Sequence, residues 1–113
     1  MHLTFIGNGS VLLEPGDNLD PSDPDLYFQP LIIYMQTQRA TKLIYDLKDK
    51  LFIDLTYYEW LLRLNSLCQI CNVKLIIANM RPTAAFALAM SAGDEPPPFS
   101  CALNVDNARE LAI

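Results

Sequence analysis

Asp54, Leu55 and Thr56 stand at the joint between a loop and a predicted helix, where the sequence offers its most specific chemistry. Thr56 and Glu59 have the Thr-x-x-Glu spacing of a capping box, which predicts Thr56 as the N-cap of the helix. Asp54 is expected to be a loop acid that accepts hydrogen bonds from the backbone at the helix start. The first N–H groups of such a helix face the loop, with the positive end of the helix dipole behind them. This joint can therefore hold an anion or a phosphate.

The cysteines and the single histidine are weaker candidates for chemistry. Cys68 and Cys71 form a C-x-x-C, but they lie near the C-terminus of the predicted helix, where the dipole disfavours a thiolate. We interpret them as two buried cysteines, with redox or metal use as the alternative. A zinc site would need two more ligands, and Cys101 and His2 are the remaining cysteine and histidine in the sequence. His2 lies at the start of the chain, where a general-base role is not expected.

Three acids near one predicted strand end offer a different hypothesis, that of a receiver domain phosphorylated on aspartate. Asp46, Asp49 and Asp54 are the candidates. A receiver needs an acidic pair after its first strand and a lysine after a late strand, and the sequence shows neither. Glycine-rich phosphate loops and a G-x-S-x-G elbow are also missing from the sequence. A small receiver-like phosphorelay domain or a small flavodoxin-like enzyme therefore stays as the alternative function.

The elements that position the joint form a strand, a helix and a second strand. Leu43–Leu47 and Val73–Ala78 are short apolar runs typical of buried strands. The segment between them has helical spacing, because one apolar stripe contains Tyr57, Leu61, Leu64, Cys68 and Cys71. Two strands joined by a helix over this length predict a parallel, right-handed βαβ unit.

The remaining segments predict further elements on either side. Residues 3–6 and 11–13 flank Gly7-Asn8-Gly9, which indicates an antiparallel hairpin. Asp23 and Pro24 indicate the start of a helix that runs to about residue 38 and that Pro30 should kink or restart. Pro82 and Gly93 are the predicted limits of an alanine-rich helix that is apolar nearly all round. That helix is expected either to pack on the sheet or to add a subunit interface. A last edge strand is predicted at residues 101–104, and a final short helix capped by Asp106.

Length and composition limit the class of protein. The chain has 113 residues, so a single domain over residues 1–113 is predicted. With 51% hydrophobic and 19% charged residues it predicts a globular core. The net charge of -5 and the missing basic patch argue against nucleic acid as a partner. No apolar run is long enough for a membrane span, and no charged signal-peptide start is present. Three cysteines, an odd number, favour a reducing cytoplasm.

The order and spacing of these elements resemble the STAS domain of anti-sigma factor antagonists, over essentially the whole chain. The resemblance is carried by Leu43-Ile-Tyr-Asp-Leu47, by Phe52-Ile-Asp54 at a helix start and by Met80-Arg-Pro82 after the next strand. Within the family the chain is most similar to the single-domain scaffold of the bacterial stressosome, the RsbS type. The Arg-Pro-x-x-Ala-x-x-Leu pattern supports this branch through Arg81, Pro82, Ala85 and Leu88. The implied fold is α/β, a mixed sheet of four to five strands with helices mainly on one side.

The resemblance implies regulation through protein partners, without enzymatic activity and without a cofactor. The implied partners are a paralogous sensor STAS protein (RsbR type) and a switch serine/threonine kinase (RsbT type), with homo-oligomers also expected. The implied phosphorylation or kinase-binding region comprises Asp54, Leu55, Thr56 and Arg81. In the family pattern the phosphorylated hydroxyl directly follows the aspartate, and here that position is Leu55. Either the switch is lost and the chain is a fixed scaffold, or Thr56 serves one residue later, with Arg81 close enough to pair with its phosphate.

Two surfaces are predicted for such partners. Residues 14–25 contain five acidic and no basic side chains, which indicates a solvated loop or, alternatively, an acidic docking face or cation site. Trp60, Tyr57 and Phe99 are predicted to be surface hydrophobics that drive self-association or co-assembly.

Overall fold

A computed structural model describes residues 1–93 and 95–111. Within them the strands and helices follow in the order β1 (His2–Phe5), β2 (Ser10–Glu14), α1 (Asp25–Thr37), β3 (Lys42–Asp46), α2 (Leu55–Ile70), β4 (Lys74–Ala78), α3 (Pro82–Ala92), β5 (Ser100–Ala102) and α4 (Val105–Glu110). None of these helices is both long and apolar enough to cross a membrane.

The five strands form one mixed sheet in the order β1-β2-β3-β4-β5. β1 is antiparallel to β2, and all the other neighbours are parallel. The predicted βαβ unit is confirmed, since β3 pairs with β4 and Leu43 lies opposite Leu75. Both strands are buried over four consecutive residues, which explains their nearly continuous apolar sequences.

Three helices pack on one face of this sheet and one packs on the other. The larger core contains buried side chains of α1, α2 and α3 against Leu43, Tyr45, Leu75 and Ile77. On the opposite face, Ala108 of α4 belongs to a small cluster with Ile44, Ile76 and Ala78. The predicted fold class, a mixed sheet with helices mainly on one side, is confirmed.

The hairpin at residues 7–9 positions the start of the parallel sheet. Gly7, Asn8 and Gly9 all have positive φ, as the predicted turn requires. The carbonyl of Gly9 accepts hydrogen bonds from Thr41 N (2.7 Å) and Lys42 N (3.1 Å) at the start of β3. A Cβ atom on Gly9 would lie 2.6 Å from Thr41 Oγ1, so only glycine fits this close approach.

The predicted starts of α1 and α4 are wrong by one and two residues, and the predicted restart of α1 at Pro30 does not occur. α1 continues through Pro30 as one helix. The carbonyl that loses its partner there belongs to Leu26, and both residues lie on the exposed side of α1, where water can satisfy the oxygen. Pro24 takes the N-cap position of α1 without a side-chain hydrogen bond. In α4 the cap is Asn104 rather than Asp106, because Asn104 Oδ1 accepts the N–H of Asn107 at 2.8 Å.

The prediction that Trp60, Tyr57 and Phe99 lie on the surface is wrong. Their exposed fractions are 0%, 4% and 6%. Trp60 Nε1–H donates to the Tyr45 hydroxyl at 2.9 Å, and the Tyr45 and Tyr57 hydroxyl oxygens are hydrogen-bonded at 2.6 Å. Because these polar tips satisfy one another, the rings can be buried without an unpaired group. The exposed large side chains are others, among them Leu51, Phe52, Leu55, Phe86 and Met90.

We expect the substitution Tyr45→Phe to lower the free energy of unfolding by about 1–3 kcal/mol, since it leaves the Trp60 N–H and the Tyr57 hydroxyl buried without their partner. Chemical denaturation measures this loss. Tyr58→Phe is the matched control, because Tyr58 is similarly buried but no hydrogen bond of its hydroxyl is found among the described residues. Equal losses for the two variants would contradict the role of the Tyr45 hydroxyl.

Candidate functional site

The candidate site lies at the start of α2 and in the loop that leads to it from β3. Ile53 is buried and anchors this loop, whereas Leu51, Phe52, Leu55 and Thr56 are exposed. The loop leaves the sheet at the carboxyl end of β3. The start of α2 is therefore presented to solvent on a rigid base, and it is accessible to a second protein.

Asp54, not Thr56, is the N-cap of α2. Its Oδ1 accepts the backbone N–H of Tyr57 at 2.8 Å, and the helix begins at Leu55. The predicted cap at Thr56 is therefore wrong, whereas the expectation that Asp54 accepts a backbone hydrogen bond is confirmed. Aspartate caps helices as well as threonine does, so the choice depends on where the chain enters the helix. Thr56 is the second helical residue, and its exposed hydroxyl is accessible to solvent.

The loop before α2 is joined to the loop before α3 by side-chain hydrogen bonds. Asn79 Nδ2 donates to Asp46 Oδ1 at 3.1 Å, and Arg81 Nε donates to the carbonyl of Lys48 at 2.7 Å. The Thr83 hydroxyl donates to the carbonyl of Leu51. The two loops meet because the carboxyl ends of the parallel strands β3 and β4 lie at one edge of the sheet, as in any parallel βαβ unit.

Arg81 is thus beside the loop that leads to α2, but its partner is a backbone carbonyl. Its Nε–H is occupied by Lys48, and the other guanidinium N–H groups can serve another acceptor. Pairing between Arg81 and a phosphate on Thr56 stays a prediction.

A cleft of about 460 Å³ lies between the loop that follows β3 and the residues around Glu14 at the end of β2. Lys48 Nζ stands in it, 3.8 Å from Glu14 Oε2 and 3.7 Å from Asp46 Oδ2. Lys50 Nζ lies 4.5 Å from the ring centre of Tyr57, in a cation–π contact. Burial raises the pKa of Tyr57 to about 12, so this ring is neutral at physiological pH.

Two of the three acids of the receiver hypothesis have structural roles, whereas Asp49 is exposed. Asp46 is 6% exposed and its Oδ1 accepts the backbone N–H of Lys48 at 2.9 Å in addition to the Asn79 amide. Asp54 caps α2. Among residues 1–93 and 95–111, no group of three or more His, Cys, Asp or Glu side chains is arranged to hold a metal ion. This geometry does not support a metal-dependent receiver.

The C-x-x-C pair does not form a redox site either. Cys68 is fully buried, and burial raises the pKa of its thiol to about 12, which suppresses the reactive thiolate. Cys71 is half-buried at the end of α2, so the prediction of a buried residue is confirmed in full for Cys68 only.

The exposed apolar residues around the joint were missed by the sequence analysis. Leu51 and Phe52 are 60% and 64% exposed, and Phe86 and Met90 of the neighbouring α3 are each 69% exposed. For Phe86 and Met90 the only signal in the sequence was that α3 is apolar nearly all round. That pattern did not tell which residues of α3 face outward.

Comparison with known proteins identifies the fold. No family model matches the chain, and no curated protein matches it. Among solved structures, the chain is similar to a protein of the stressosome, described as a signal integration and transduction hub, with a TM-score of 0.78 and 13% identity over 95% of this chain and 91% of that one.

Two further solved structures have the same fold. A serine-to-glutamate variant of RsbS from Moorella thermoacetica has a TM-score of 0.73 and 15% identity, covering 95% of this chain and 89% of that one. The protein TM1081, solved by NMR, has a TM-score of 0.77 and 13% identity, covering 96% of this chain and 84% of that one. The chain therefore has the fold shared by these three structures, and the predicted STAS fold is confirmed.

We expect Asp54→Ala to lower the free energy of unfolding by about 1 kcal/mol, because it removes the acceptor for the Tyr57 N–H at the start of α2. Thr56→Ala should change it by less than about 0.5 kcal/mol, since the exposed Thr56 does not cap the helix. Chemical denaturation of both variants distinguishes the two candidate caps. A larger loss for Thr56→Ala than for Asp54→Ala would contradict this assignment.

Proposed function

We propose that the chain is a non-enzymatic regulatory scaffold of a stressosome-like assembly. In this function it forms homo-oligomers, co-assembles with a paralogous sensor STAS protein and binds a switch serine/threonine kinase at the start of α2. The observation that carries the proposal is the fold shared with a stressosome protein and with an RsbS variant, in each case over 95% of this chain.

The surface at the start of α2 supports a role in protein recognition. Leu51, Phe52 and Leu55 are 60%, 64% and 59% exposed, and they lie within one loop and the first residue of the helix. Exposed apolar groups close together on a rigid base are typical of protein interfaces. Near them, Asp54 caps α2 and Arg81 donates to a loop carbonyl, so both side chains take part in structural contacts.

Leu55 decides what kind of regulation we propose. It occupies the place of the family's phosphorylated hydroxyl, and a leucine cannot accept a phosphate. Its side chain instead extends the apolar surface made by Leu51 and Phe52. We therefore propose that this chain binds its kinase without being switched at that position.

Thr56 is the remaining hydroxyl for a shifted switch, and the structure supplies arguments on both sides. The helix dipole favours a phosphate there, which would add about -1.5 to -2 charges. The Asp54 carboxylate opposes it, because Asp54 is negatively charged and already accepts the N–H of Tyr57. Since a phosphate on Thr56 would compete with the native cap, we favour a scaffold without its own switch.

Co-assembly with a sensor paralogue is the first test. Size-exclusion chromatography with light scattering should show a particle heavier than either protein alone when the chain is mixed with a sensor STAS protein from the same genome. A STAS-fold protein of an unrelated pathway serves as the control partner. Elution of the two proteins at their separate masses at every ratio would count against the proposal.

Phosphorylation is the second test. After incubation with the cognate kinase and ATP, peptide mass spectrometry should find no phosphate on residues 54–66, while the sensor paralogue in the same tube is phosphorylated. Leu55→Ser, which restores the family's hydroxyl at an exposed position, should become a substrate. Phosphate on Thr56 of the unaltered chain would show a shifted switch and overturn the proposed loss of regulation.

A further inference from the structure

α3 is a surface helix without a charged residue. Its sequence from Pro82 to Ala92 contains only apolar residues and two hydroxyl side chains. Ala84, Ala87 and Leu88 are its buried residues. A helix with one solvated face is expected to carry polar side chains there, so the outer face of α3 departs from the usual pattern.

The outer face of α3 presents large and small apolar side chains in a regular order. Phe86 and Met90 are four residues apart and each 69% exposed. Ala85 and Ala89, which precede them, are exposed as well. Residues four apart lie above one another on a helix, so the two large side chains form one ridge and the two alanines a shallow groove beside it. A ridge next to a groove is the geometry with which one helix packs against another.

This face continues into the loop before α2. The Thr83 hydroxyl donates to the carbonyl of Leu51, and Phe86 and Met90 follow Thr83 at helical spacings of three and seven residues. Phe86 and Met90 therefore lie on the side of α3 that begins at Leu51. Phe52 comes next in the loop. We call Leu51, Phe52, Phe86 and Met90, together with Ala85 and Ala89 beside the Phe86–Met90 ridge, the α3 face.

The α3 face is as large as the largest apolar patch of a typical monomer. With about 200 Å² for a fully exposed aromatic side chain and about 150 Å² for a leucine or methionine, its four large side chains expose on the order of 450 Å². The largest apolar patch of a typical monomer is about 300–600 Å² and is often functional. Covering this face on two copies would bury roughly 900 Å² from these side chains alone. The alanines and the backbone bring the total towards the lower limit of about 1,200 Å² for specific interfaces.

Charge indicates which partner fits. The chain has 13 acidic and 8 basic residues, so two copies repel each other over most of their surfaces. α3 and residues 51–53 carry no charge, so contact through the α3 face brings two copies together where this repulsion is weakest. An uncharged face also offers nothing that would select an oppositely charged partner.

We propose that the α3 face is the interface of a two-fold symmetric dimer of this chain, in which Phe86 of one copy packs against Met90 of the other. In such an interface the same surface is used by both copies. The proposal assigns a surface to the self-association within the proposed function and rests on that part alone. Because Leu51 and Phe52 belong to both surfaces, a copy in the dimer presents Leu55 and the start of α2 to the kinase, and the dimer contact itself needs neither the kinase nor the sensor paralogue.

Sedimentation velocity of the purified chain, over a wide range of concentrations and with a reducing agent present, is the test. The unaltered chain should show a reversible monomer–dimer equilibrium, weak because the interface is small. Phe86→Glu should raise the dissociation constant at least about 30-fold, as expected for loss of an aromatic hot spot. Thermal unfolding should be nearly unchanged, because Phe86 is exposed.

Two matched controls test the surface itself. Ile70 and Ile33 are 83% and 57% exposed on α2 and α1, outside the α3 face. Ile70→Glu and Ile33→Glu add the same charge and should leave the dimer unchanged. If either variant dissociates the dimer as Phe86→Glu does, or if Phe86→Glu has no effect, the α3 face is not the interface.

A charge-pairing experiment tests the Phe86–Met90 contact. Phe86→Glu and Met90→Lys should each be monomeric alone, and mixing them should restore a dimer that contains one copy of each. No association in the mixture would overturn the proposed packing. A strictly monomeric unaltered chain would overturn self-association altogether, while co-assembly with the sensor paralogue, measured separately, would still decide the rest of the proposed function.

Discussion

The hydroxyl of Tyr45 is the contact on which the position of α2 depends. It accepts the N–H of Trp60 and shares a hydrogen bond with Tyr57, so two side chains of the helix meet one side chain of the central strand β3. Burial raises the pKa of both tyrosines, which keeps these hydroxyls protonated and able to donate. Tyr27 and Phe28 of α1 pack on the Trp60 ring at centroid distances of 5.6 and 5.9 Å, so the neighbouring helix is positioned through the same group.

The candidate site follows from this arrangement. Because Tyr57 is held at the sheet, the residues just before it project at the sheet edge, and Asp54 caps the helix there. Side-chain hydrogen bonds from Asn79, Arg81 and Thr83 then join this loop to the start of α3. The starts of α2 and α3 thus form one surface at the edge of the sheet. Several polar side chains there are hydrogen-bonded within the loops, and several apolar side chains are exposed to solvent.

Such a surface is suited to binding proteins rather than to chemistry on a small substrate. The reactive candidates have structural tasks: Asp46 and Asp54 accept backbone N–H groups, and Cys68 is a buried thiol. What the surface offers instead is exposed apolar area near Leu55 and along α3. The proposed scaffold function depends on this surface, to which Leu55 adds one more exposed apolar side chain.

The order of the elements, the hairpin at Asn8, the parallel pairing of β3 with β4 and the proximity of Arg81 to the loop before α2 could all be predicted from the amino-acid sequence. These follow from local signals, since periodicity, glycine turns and proline starts act over a few residues, and connection length restricts the topology. The choice between Asp54 and Thr56 as the cap depends on the packed structure, because both side chains can cap a helix and the path by which the chain enters α2 selects one of them. The packed structure also decided that Trp60 and Tyr57 are buried, since their polar tips find partners only when α2 packs on β3. The outward direction of Phe86 and Met90 was decided in the same way: α3 is apolar all round, and only its packing on the sheet shows which side is left to solvent.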